Sequence, residues 1–333
     1  MKFSCDKYVL QQAAASAARA AAAKSPIPTL EGLLIEAGAS VRITGYDLKK
    51  AIYTTIDADI PEPGSVLIGA RLFCEMLRRM PDGIVTVEAE NGTVSVKCGK
   101  AAFSADDYPD LPTVEAENGV SLPQNLLKKM INECSFAVST NESRPVYMGT
   151  LFEIENNVLT MVSVDGYRLA LRREAVEGYG DDCSFIVPGT ALSDLERLCG
   201  DSDERVVLSV GSKHISFTVG NTVILSRRLE GDFLNYKKAI PESFRVTVKT
   251  ARTDLLEVVE RVSLIIDSKN NAPLRLTFRK DAIDFVCTTP LGKAADSCPC
   301  EGDGGDLEIG FNDHYLSDAL KAAPADEINV CLN

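Results

Sequence analysis

The stretch KYVLQQAAASAARAAAA at residues 7–23 predicts an amphipathic helix, and two later stretches have the same character. They are PQNLLKKMINEC at 123–134 and TDLLEVVERVSLII at 253–266. Near its start each stretch has a pair of adjacent apolar residues, Val9-Leu10, Leu126-Leu127 or Leu255-Leu256, and the spacing of these pairs gives a period of about 120 residues. A repeat of this length, built from mixed elements, indicates three copies of one fold in a single chain.

Every copy continues with strand-like segments and a second short helix. The second helices are predicted at Arg71–Met80, Thr190–Leu198 and Asp313–Ala322. The segments that lead into them contain Ile68, Val187 and Ile309. Alternating apolar and polar residues predict antiparallel strands around them. This order of elements indicates an α+β fold in which two helices of each domain pack on antiparallel sheets. The predicted domains are 1–119, 120–244 and 245–333.

The third copy is shorter than the other two. Only one predicted strand, Glu327–Leu332, follows its second helix, whereas the first two copies continue with a turn and several strands. A truncated sheet would expose unpaired strand edges. We therefore expect about 30 further residues in a complete third copy, by comparison with the first two.

The composition indicates a soluble globular protein of the cytoplasm. Apolar residues make up 45% and charged residues 25% of the 333 residues, and the formal net charge is −13. No apolar run reaches the roughly 18 residues of a membrane span, and the start has no signal-peptide core. The ten cysteines are scattered, which argues against a disulfide framework. Cys298-Pro299-Cys300 is the only close pair, and a metal site would need further ligands nearby. No cofactor or metal is expected.

Catalytic motifs are missing from the sequence. It contains no P-loop, nucleophile elbow or zinc-protease motif, and its two histidines are far apart. Asp47 and Asp165 occupy similar points of the first two copies, where paired carboxylates could perform acid–base chemistry. The third copy has Thr288-Thr289 there, so an aspartate that stabilises a turn is the favoured interpretation. An enzyme that uses Asp165 and Arg168 between copies is kept as an alternative.

Basic residues recur at equivalent places. In each copy, a basic residue follows the first helix and precedes a proline: Lys24, Arg144 and Lys269. Two second helices contain a basic residue at matching places, Arg78 and Arg197, and Lys128 lies on the first helix of copy two. Such a set predicts sequence-independent attraction to a polyanion, although a solvated helix face is the simpler interpretation of any single member. No aromatic residues are interleaved with them, so stacking on single-stranded bases is not indicated.

Short segments along the whole chain resemble one known family. In order, they are Lys2-Phe3, Pro26–Leu30, Asp165–Ala170, Phe233 with Tyr236, and Ile309–Asn312 with Tyr315. The chain resembles the bacterial sliding clamps, the beta subunit of DNA polymerase III. The resemblance implies a non-catalytic processivity factor for DNA replication, which encircles double-stranded DNA as a head-to-tail homodimeric ring of six domains. A separate loader would open the ring, and no membrane partner is implied.

The resemblance also implies site residues. A pocket between domains two and three would bind short peptides of the replicative polymerase, the clamp loader and repair proteins. Its residues would be Val164, Gly166, Tyr167, Arg168, Leu169, Leu234, Lys238, Asn312 and Tyr315. The subunit interface would include Phe103, Ile265 and Ile266. The family often has Phe-Pro-Asp-Tyr where this chain has Phe233-Leu234-Asn235-Tyr236, which predicts a reshaped pocket wall. A scaffold that binds proteins but not DNA is a second alternative.

Overall fold

The computed structural model describes residues 1–90, 93–98, 119–177, 182–266, 272–302 and 304–333. Within these ranges the α-helices are α1 Lys7–Ala18, α2 Ala70–Arg79, α3 Gln124–Ser135, α4 Gly189–Leu198, α5 Arg252–Ser263 and α6 Asp313–Ala322. The first helices of the three copies (α1, α3 and α5) have 12 residues each, and the second helices (α2, α4 and α6) have 10 each. The equal lengths confirm the internal repeat.

Strands make up most of the remaining structure. They are β1 Lys2–Asp6, β2 Gly32–Ala37, β3 Val41–Tyr46, β4 Lys50–Ile56, β5 Asp59–Glu62, β6 Gly64–Gly69, β7 Ile84–Glu90, β8 Thr93–Lys97, β9 Gly119–Pro123, β10 Gly149–Glu155, β11 Val158–Val164, β12 Leu169–Ala175, β13 Cys183–Pro188, β14 Arg205–Val210, β15 His214–Val219, β16 Thr222–Arg227, β17 Val246–Ala251, β18 Leu274–Phe278, β19 Ala282–Thr289, β20 Gly292–Pro299, β21 Glu301–Gly302, β22 Leu307–Phe311 and β23 Glu327–Leu332. Three short 3-10 helices lie at Pro28–Glu31, Pro145–Met148 and Tyr236–Lys238.

The strands form antiparallel sheets, which confirms the predicted α+β class. The largest sheet has eight strands in the order β6-β2-β3-β4-β16-β15-β14-β9. The four-stranded sheets have the orders β5-β1-β7-β8, β12-β11-β10-β13 and β20-β19-β18-β22, and a three-stranded sheet has the order β21-β17-β23. In the eight-stranded sheet, β4 of the first copy pairs with β16 of the second, and Thr54 lies opposite Thr222. One continuous sheet therefore joins two copies.

The chain divides into two compact units. The first consists of residues Met1–Ile131, Met148–Met161 and Arg173–Gly231, and the second of Asn132–Tyr147, Val162–Arg172 and Asp232–Asn333. In the first unit, α1 and α2 cover a core that includes Phe3, Leu10 and Phe73, all fully buried. In the second unit, Phe278 and Phe285 are fully buried beside the apolar face of α5.

The first helix of copy one is shorter than predicted. The sequence predicts a helix to Ala23, but α1 ends at Ala18. Asp6 caps its start by accepting hydrogen bonds from the backbone amides of Tyr8 and Val9. After the helix, the amide of Ala22 donates to the carbonyl of Leu30 at 2.8 Å. The alanine run favours helix, but this tertiary contact and the prolines that follow override the propensity.

The sequence-based prediction did not include most of the strands that lead into helices. Strands β6, β13 and β22 each lead directly into a second helix, and β9 and β17 lead into the first helices of copies two and three. They have five or six residues each, and a helix follows each of them at once or after a single residue. A short apolar run of this kind cannot be separated from the helix that follows by periodicity alone.

Candidate functional site

The loop between β11 and β12 is a tight hairpin, which we call the tip of copy two, Asp165–Arg168. Asp165 Oδ1 accepts hydrogen bonds from the backbone amides of Tyr167 at 2.9 Å and Arg168 at 3.1 Å. Gly166 has a φ of +97°, which favours glycine. Asp165 is thus the turn aspartate that the sequence favours. This turn leaves the Tyr167 side chain 84% exposed.

Arg168 is held on three sides. Its Nε donates to Asp165 Oδ2 at 2.9 Å, Nη1 donates to Asp318 Oδ2 at 2.7 Å, and Nη2 donates to the Phe136 carbonyl at 2.7 Å. Desolvation opposes the charged form, but the hydrogen bonds to Asp318 and Asp165 outweigh it and raise the pKa of Arg168. The guanidinium is therefore fixed in place and charged.

Aromatic rings surround this guanidinium. The Arg168 Cζ atom lies 4.4 Å from the centroid of the Tyr315 ring and 5.3 Å from that of Phe136. The Tyr167 and Tyr315 rings are 6.1 Å apart with an interplanar angle of 31°. Asn312 caps α6, because its Oδ1 accepts from the amide of Tyr315 at 3.1 Å. The Tyr167 and Tyr315 rings thus lie beside each other, and the Tyr315 ring also contacts the Arg168 guanidinium.

The other predicted pocket residues have different surroundings. Val164 is buried at the end of β11, and Leu169 is half-buried at the start of β12. Leu234 is 40% exposed, and Lys238 is exposed in the 3-10 helix that ends there. Among the residues that the structure describes, side-chain contacts join Tyr167, Arg168 and Tyr315, whereas Leu234 and Lys238 lie outside this network.

The sequence did not identify Phe136 and Asp318 as site residues. The available signal for Asp318 was the sequence Leu316-Ser317-Asp318, which repeats Leu192-Ser193-Asp194 of copy two. Each aspartate is the sixth residue of its second helix. No comparable signal marks Phe136, because its backbone carbonyl makes the hydrogen bond.

A similar arrangement joins copies one and two. The tip of copy one, Asp47–Lys50, lies between β3 and β4, and Asp47 Oδ1 accepts from the amides of Lys49 and Lys50. Lys50 forms an ion pair with Asp194 of α4, and both side chains are largely buried. The tip of copy three, Thr289–Gly292, has the same turn contact, since Thr289 Oγ1 accepts from the amide of Leu291. The basic–acidic pairs of the first two tips therefore connect successive copies.

The basic residues predicted for DNA differ in their local partners. Lys24, Arg144 and Arg197 are exposed. Arg78 donates to Glu75 at 2.7 Å, and Lys128 donates to Asp201 at 2.7 Å, which raises the pKa of Lys128. Lys269 lies outside the described residues.

The second helices also explain part of the recurrence of basic residues. Arg78 and Arg197 are each the ninth residue of their helix, and the sequence analysis missed their third equivalent, Lys321. Cations in a last helical turn stabilise the helix by interacting with its dipole. Helix stability is thus a second physical reason for a basic residue at this position.

The predicted interface residues are only partly accessible. Ile265 and Ile266 follow α5 and pack, half-buried, against the core of the second unit. The residue before them, Leu264, is 82% exposed, and the sequence analysis did not single it out. Phe103 lies outside the described residues.

The cysteines are free thiols, and most of them are buried. Burial raises the pKa of Cys298 to about 11, so this neighbour of Cys300 holds its proton at neutral pH. Across the described ranges, no group of three or more potential ligands is positioned to hold a metal ion. None of the helices described is long and apolar enough to cross a membrane.

Comparisons with known proteins agree along the chain. Models of the DNA polymerase III beta subunit match it in sequence: the N-terminal domain at residues 1–114, the central domain at 121–235 and the C-terminal domain at 237–333. The beta sliding clamp of Staphylococcus epidermidis is 31% identical over 329 residues, which cover 94% of this chain and 87% of that protein. That of Bacillus subtilis is 29% identical over 350 residues, which cover 99% and 92%.

Solved structures give the same result. The crystal structure of the DNA polymerase sliding clamp from Bacillus subtilis superimposes with a TM-score of 0.95 at 28% identity, covering 100% of this chain and 92% of that one. The DNA polymerase III subunit beta from Pseudomonas aeruginosa gives 0.94 at 25% identity, covering 100% and 93%. The fold is therefore that of a three-domain clamp.

Family membership follows from these matches. The chain belongs to the beta sliding clamps, the beta subunit family of DNA polymerase III. It is a non-catalytic accessory subunit, so the enzyme alternative based on Asp165 and Arg168 is wrong. The geometry agrees, because both side chains are engaged in the contacts of the tip.

Proposed function

We propose that this chain forms a head-to-tail homodimeric ring that encircles double-stranded DNA and keeps a replicative polymerase on its template. The domains would be 1–119, 120–244 and 245–333. A closed ring holds DNA topologically, so a net charge of −13 is compatible with a DNA partner. Weak, sequence-independent phosphate contacts inside the ring permit sliding. This work on chromosomal DNA would take place in the cytoplasm.

The observation that carries this proposal is how copies one and two join. β4 follows the tip of copy one and pairs with β16 of the next copy. β12 and β20 follow the other two tips, and each is an edge strand among the described residues. An open edge can accept another strand. By equivalence with β4, the open edge of β20 is where a strand of a second copy would pair. Head-to-tail contacts that close on themselves generate rings.

The mass in solution tests the ring. We expect a dimer that survives dilution, because a stable interface of this type buries more than about 1,000 Å². Sedimentation velocity over a dilution series measures this. A chain that is monomeric at every concentration would contradict the ring.

The proposed DNA contacts are Lys24, Arg78, Lys128, Arg144, Arg197 and Lys269. Of these, Lys24 and Arg144 are exposed in equivalent turns before a 3-10 helix. The double variant Lys24→Glu with Arg144→Glu should shorten retention on closed circular DNA, and retention should become less dependent on salt. Lys213→Glu, a change at an exposed lysine in the β14–β15 turn, is the matched control. Unchanged retention of the double variant would favour the scaffold that binds proteins but not DNA.

The proposed peptide site uses Val164, Gly166, Tyr167, Arg168, Leu169, Leu234, Lys238, Asn312 and Tyr315. The paired rings of Tyr167 and Tyr315 support it, because exposed aromatic side chains are typical anchors of binding surfaces. Polymerase, clamp loader and repair proteins would compete for this site through short segments with apolar anchors. The loader would supply the ATP-driven opening.

Binding of the replicative polymerase to immobilised protein tests the peptide site. Tyr167→Ala and Tyr315→Ala should each weaken binding by about tenfold or more, as expected for aromatic anchors. Tyr8→Ala is the control, since Tyr8 is also well exposed, at 68%, but lies on α1. Equal binding by all three variants would contradict this location.

A further inference from the structure

The first helices of the three copies bury the same face. In each of α1, α3 and α5, the fourth, seventh, eighth and eleventh residues are at most 2% exposed. The fourth and eighth residues are Leu10 and Ala14 in α1, Leu127 and Ile131 in α3, and Leu255 and Val259 in α5. This spacing is that of one apolar helix face. The three helices can therefore be aligned residue by residue.

The opposite face of each first helix contains the second, sixth and ninth residues, which we call the outer ridge. Eight of these nine residues are exposed, and Asn125 is half-buried. The outer ridge of α1 has no charged residue, and that of α3 has Lys129 at the sixth place. In α5 the sixth and ninth residues are Glu257 and Glu260. The same surface is thus neutral or basic in copies one and two and acidic in copy three.

The full helices show the same contrast. α1 contains one lysine and no acidic residue, and α3 contains two lysines and the largely buried Glu133. α5 contains two arginines and three acidic residues. Both arginines are engaged, because Arg261 donates to Asp296 at 2.8 Å and to Glu257 at 3.3 Å, and Arg252 donates to two backbone carbonyls. The acidic character of α5 therefore reaches its surface.

The proposed DNA contacts divide between the copies in the same way. Lys24, Lys128 and Arg144 lie on or after the first helices of copies one and two. Lys129, the residue beside Lys128, has the helix position that Glu257 has in α5. Exposed charges act on one another over about 10 Å at 0.1 M salt. A duplex close enough to be attracted by copy two through this face would be repelled by the equivalent face of copy three.

Helix stability is the simpler explanation of the two glutamates. Glu257 lies four residues before Arg261, and Glu260 accepts from Lys321 of α6 at 2.9 Å. Exposed ion pairs of this kind contribute little to stability. Lys321 is also the equivalent of the proposed DNA contacts Arg78 and Arg197. The pair with Glu260 thus offsets the charge of the residue that would otherwise attract DNA in copy three.

We infer that copies one and two hold the duplex and that the outer ridge of α5 repels it. Glu257 and Glu260 lower the affinity for the phosphate backbone, which favours sliding because a ring retains DNA topologically. This inference rests on the proposed function. It adds which copies contact the phosphates and which residues oppose the contact.

Removal of the two glutamates tests the repulsion. The variant Glu257→Gln with Glu260→Gln should bind a short linear duplex about threefold or more tightly at low salt, because two charges that repel phosphates are gone. The gain should disappear near 1 M salt, where charges act over only about 3 Å. Anisotropy of a labelled duplex titrated with the full chain gives the dissociation constants.

The controls separate position from net charge. Glu230→Gln with Glu242→Gln removes the same number of charges from exposed residues outside the first helices, and it should bind the duplex as the parent chain does. Lys129→Glu gives α3 the charge of α5 and should weaken binding by about threefold or more at low salt.

The outcomes distinguish this inference from the proposed function. If the parent chain binds no duplex at any salt concentration and is not retained on circular DNA, the proposed function fails and the inference fails with it. If the parent chain binds but the Glu257 and Glu260 variant gains no more than its control, the α5 ridge does not oppose DNA, and the inference is overturned while the ring stands. Circular dichroism checks folding, and Glu257→Gln alone, with a smaller expected gain, replaces a double variant that does not fold.

Discussion

Arg168 and Lys50 hold equivalent positions but offer different chemistry. Each is the fourth residue of a tip and pairs with an aspartate on the next second helix. An ammonium is a compact charge, whereas a planar guanidinium can also stack on an aromatic ring. Only Arg168 has Tyr315 at the helix position that contains Ala191 in the other junction. The junction between copies two and three thus has an exposed aromatic surface, which the junction between copies one and two lacks.

Arg168→Lys separates these two roles. The variant keeps a positive charge for Asp165 and Asp318 but loses the stacked contact with Tyr315, which is typically worth about 0.5–2 kcal/mol. We therefore expect polymerase binding to weaken several-fold, with a modest fall in the thermal midpoint because one ammonium cannot replace all three hydrogen bonds of the guanidinium. Binding to immobilised protein and scanning calorimetry measure the two effects. Unchanged binding would show that the guanidinium plane does not position Tyr315.

Lys50→Met tests the buried pair of the first junction. Removing one partner leaves Asp194 buried without its charge partner, which typically costs about 3–5 kcal/mol. The thermal midpoint should fall clearly. Adding Asp194→Leu should recover much of the lost stability, because the introduced methionine and leucine would then form an apolar pair in place of the unpaired buried carboxylate. A single variant as stable as the parent would mean that water reaches Asp194.

Sequence reasoning named several residues of the candidate site at this scale. Asp165, Tyr167, Arg168 and Tyr315 follow from the resemblance, and the turn role of Asp165 follows from residue type. Asp318 was missed because its partner is 150 residues away in the chain. Only the fold brings the two side chains together.

The hairpin tips are the elements on which the proposed peptide site depends. In copies one and two the second tip residue has a positive φ, +72° at Leu48 and +97° at Gly166. A side chain at Gly166 would be strained by this backbone conformation even though an added Cβ meets no other atom within 4 Å. At Gly166 the backbone conformation, not the available space, favours glycine, whereas the equivalent Leu48 has the smaller positive φ.

Gly166→Ala should therefore destabilise the tip of copy two. The expected loss is about 1 kcal/mol or more, because alanine disfavours positive φ. Gly38→Ala is the control: Gly38 also has open space around it and no positive φ, so that variant should be neutral or slightly stabilising. Denaturant unfolding gives both values. Equal effects from the two variants would contradict the conformational explanation.

At the element scale, periodicity predicts all six helices that the structure describes. It fails for strands that run straight into helices, such as β6 and β13, because five or six residues contain too little pattern. It also extends α1 through Arg19–Ala23, where high alanine propensity masks the real end of the helix. Propensity is local, and these boundaries are set by packing.

At the scale of the whole molecule, buried thiols occur in all three copies. Burial raises the pKa to about 12 for Cys5 and Cys134, and to about 11 for Cys74, Cys199 and Cys298, from an ordinary value of 9.0. A raised folded-state pKa means that the unfolded chain loses these protons first. The stabilisation is complete below pH 9 and is lost as the pH rises towards 11 and 12.

The thermal midpoint should accordingly be steady near pH 8 and fall between about pH 9 and 10.5. Cys134→Ala should begin from a lower midpoint, because it leaves a cavity, but should decline less steeply. Calorimetry across this pH range measures both slopes. Identical slopes for parent and variant would show that the Cys134 thiol does not contribute to the alkaline loss.

At the scale of the molecule, the repeat predicts three copies, and the ordered motifs identify the family. The exposure of Leu72 could not be read in this way. Leu72 and Ala191 are each the third residue of a second helix, and only the neighbours supplied by the fold leave Leu72 51% exposed and Ala191 buried.

The pairing of β4 with β16 has a consequence for synthesis on the ribosome. Thr54 and Thr222, which share a buried hydrogen bond across this pair, are 168 residues apart. At about 5–20 residues per second, the β4 edge of a nascent chain waits roughly 10 to 30 s for its partner. During that interval the backbone amides and carbonyls of β4 that will pair with β16 are available to any other polypeptide nearby. Newborn chains should therefore depend on a chaperone at this stage, and slower elongation should lengthen that dependence.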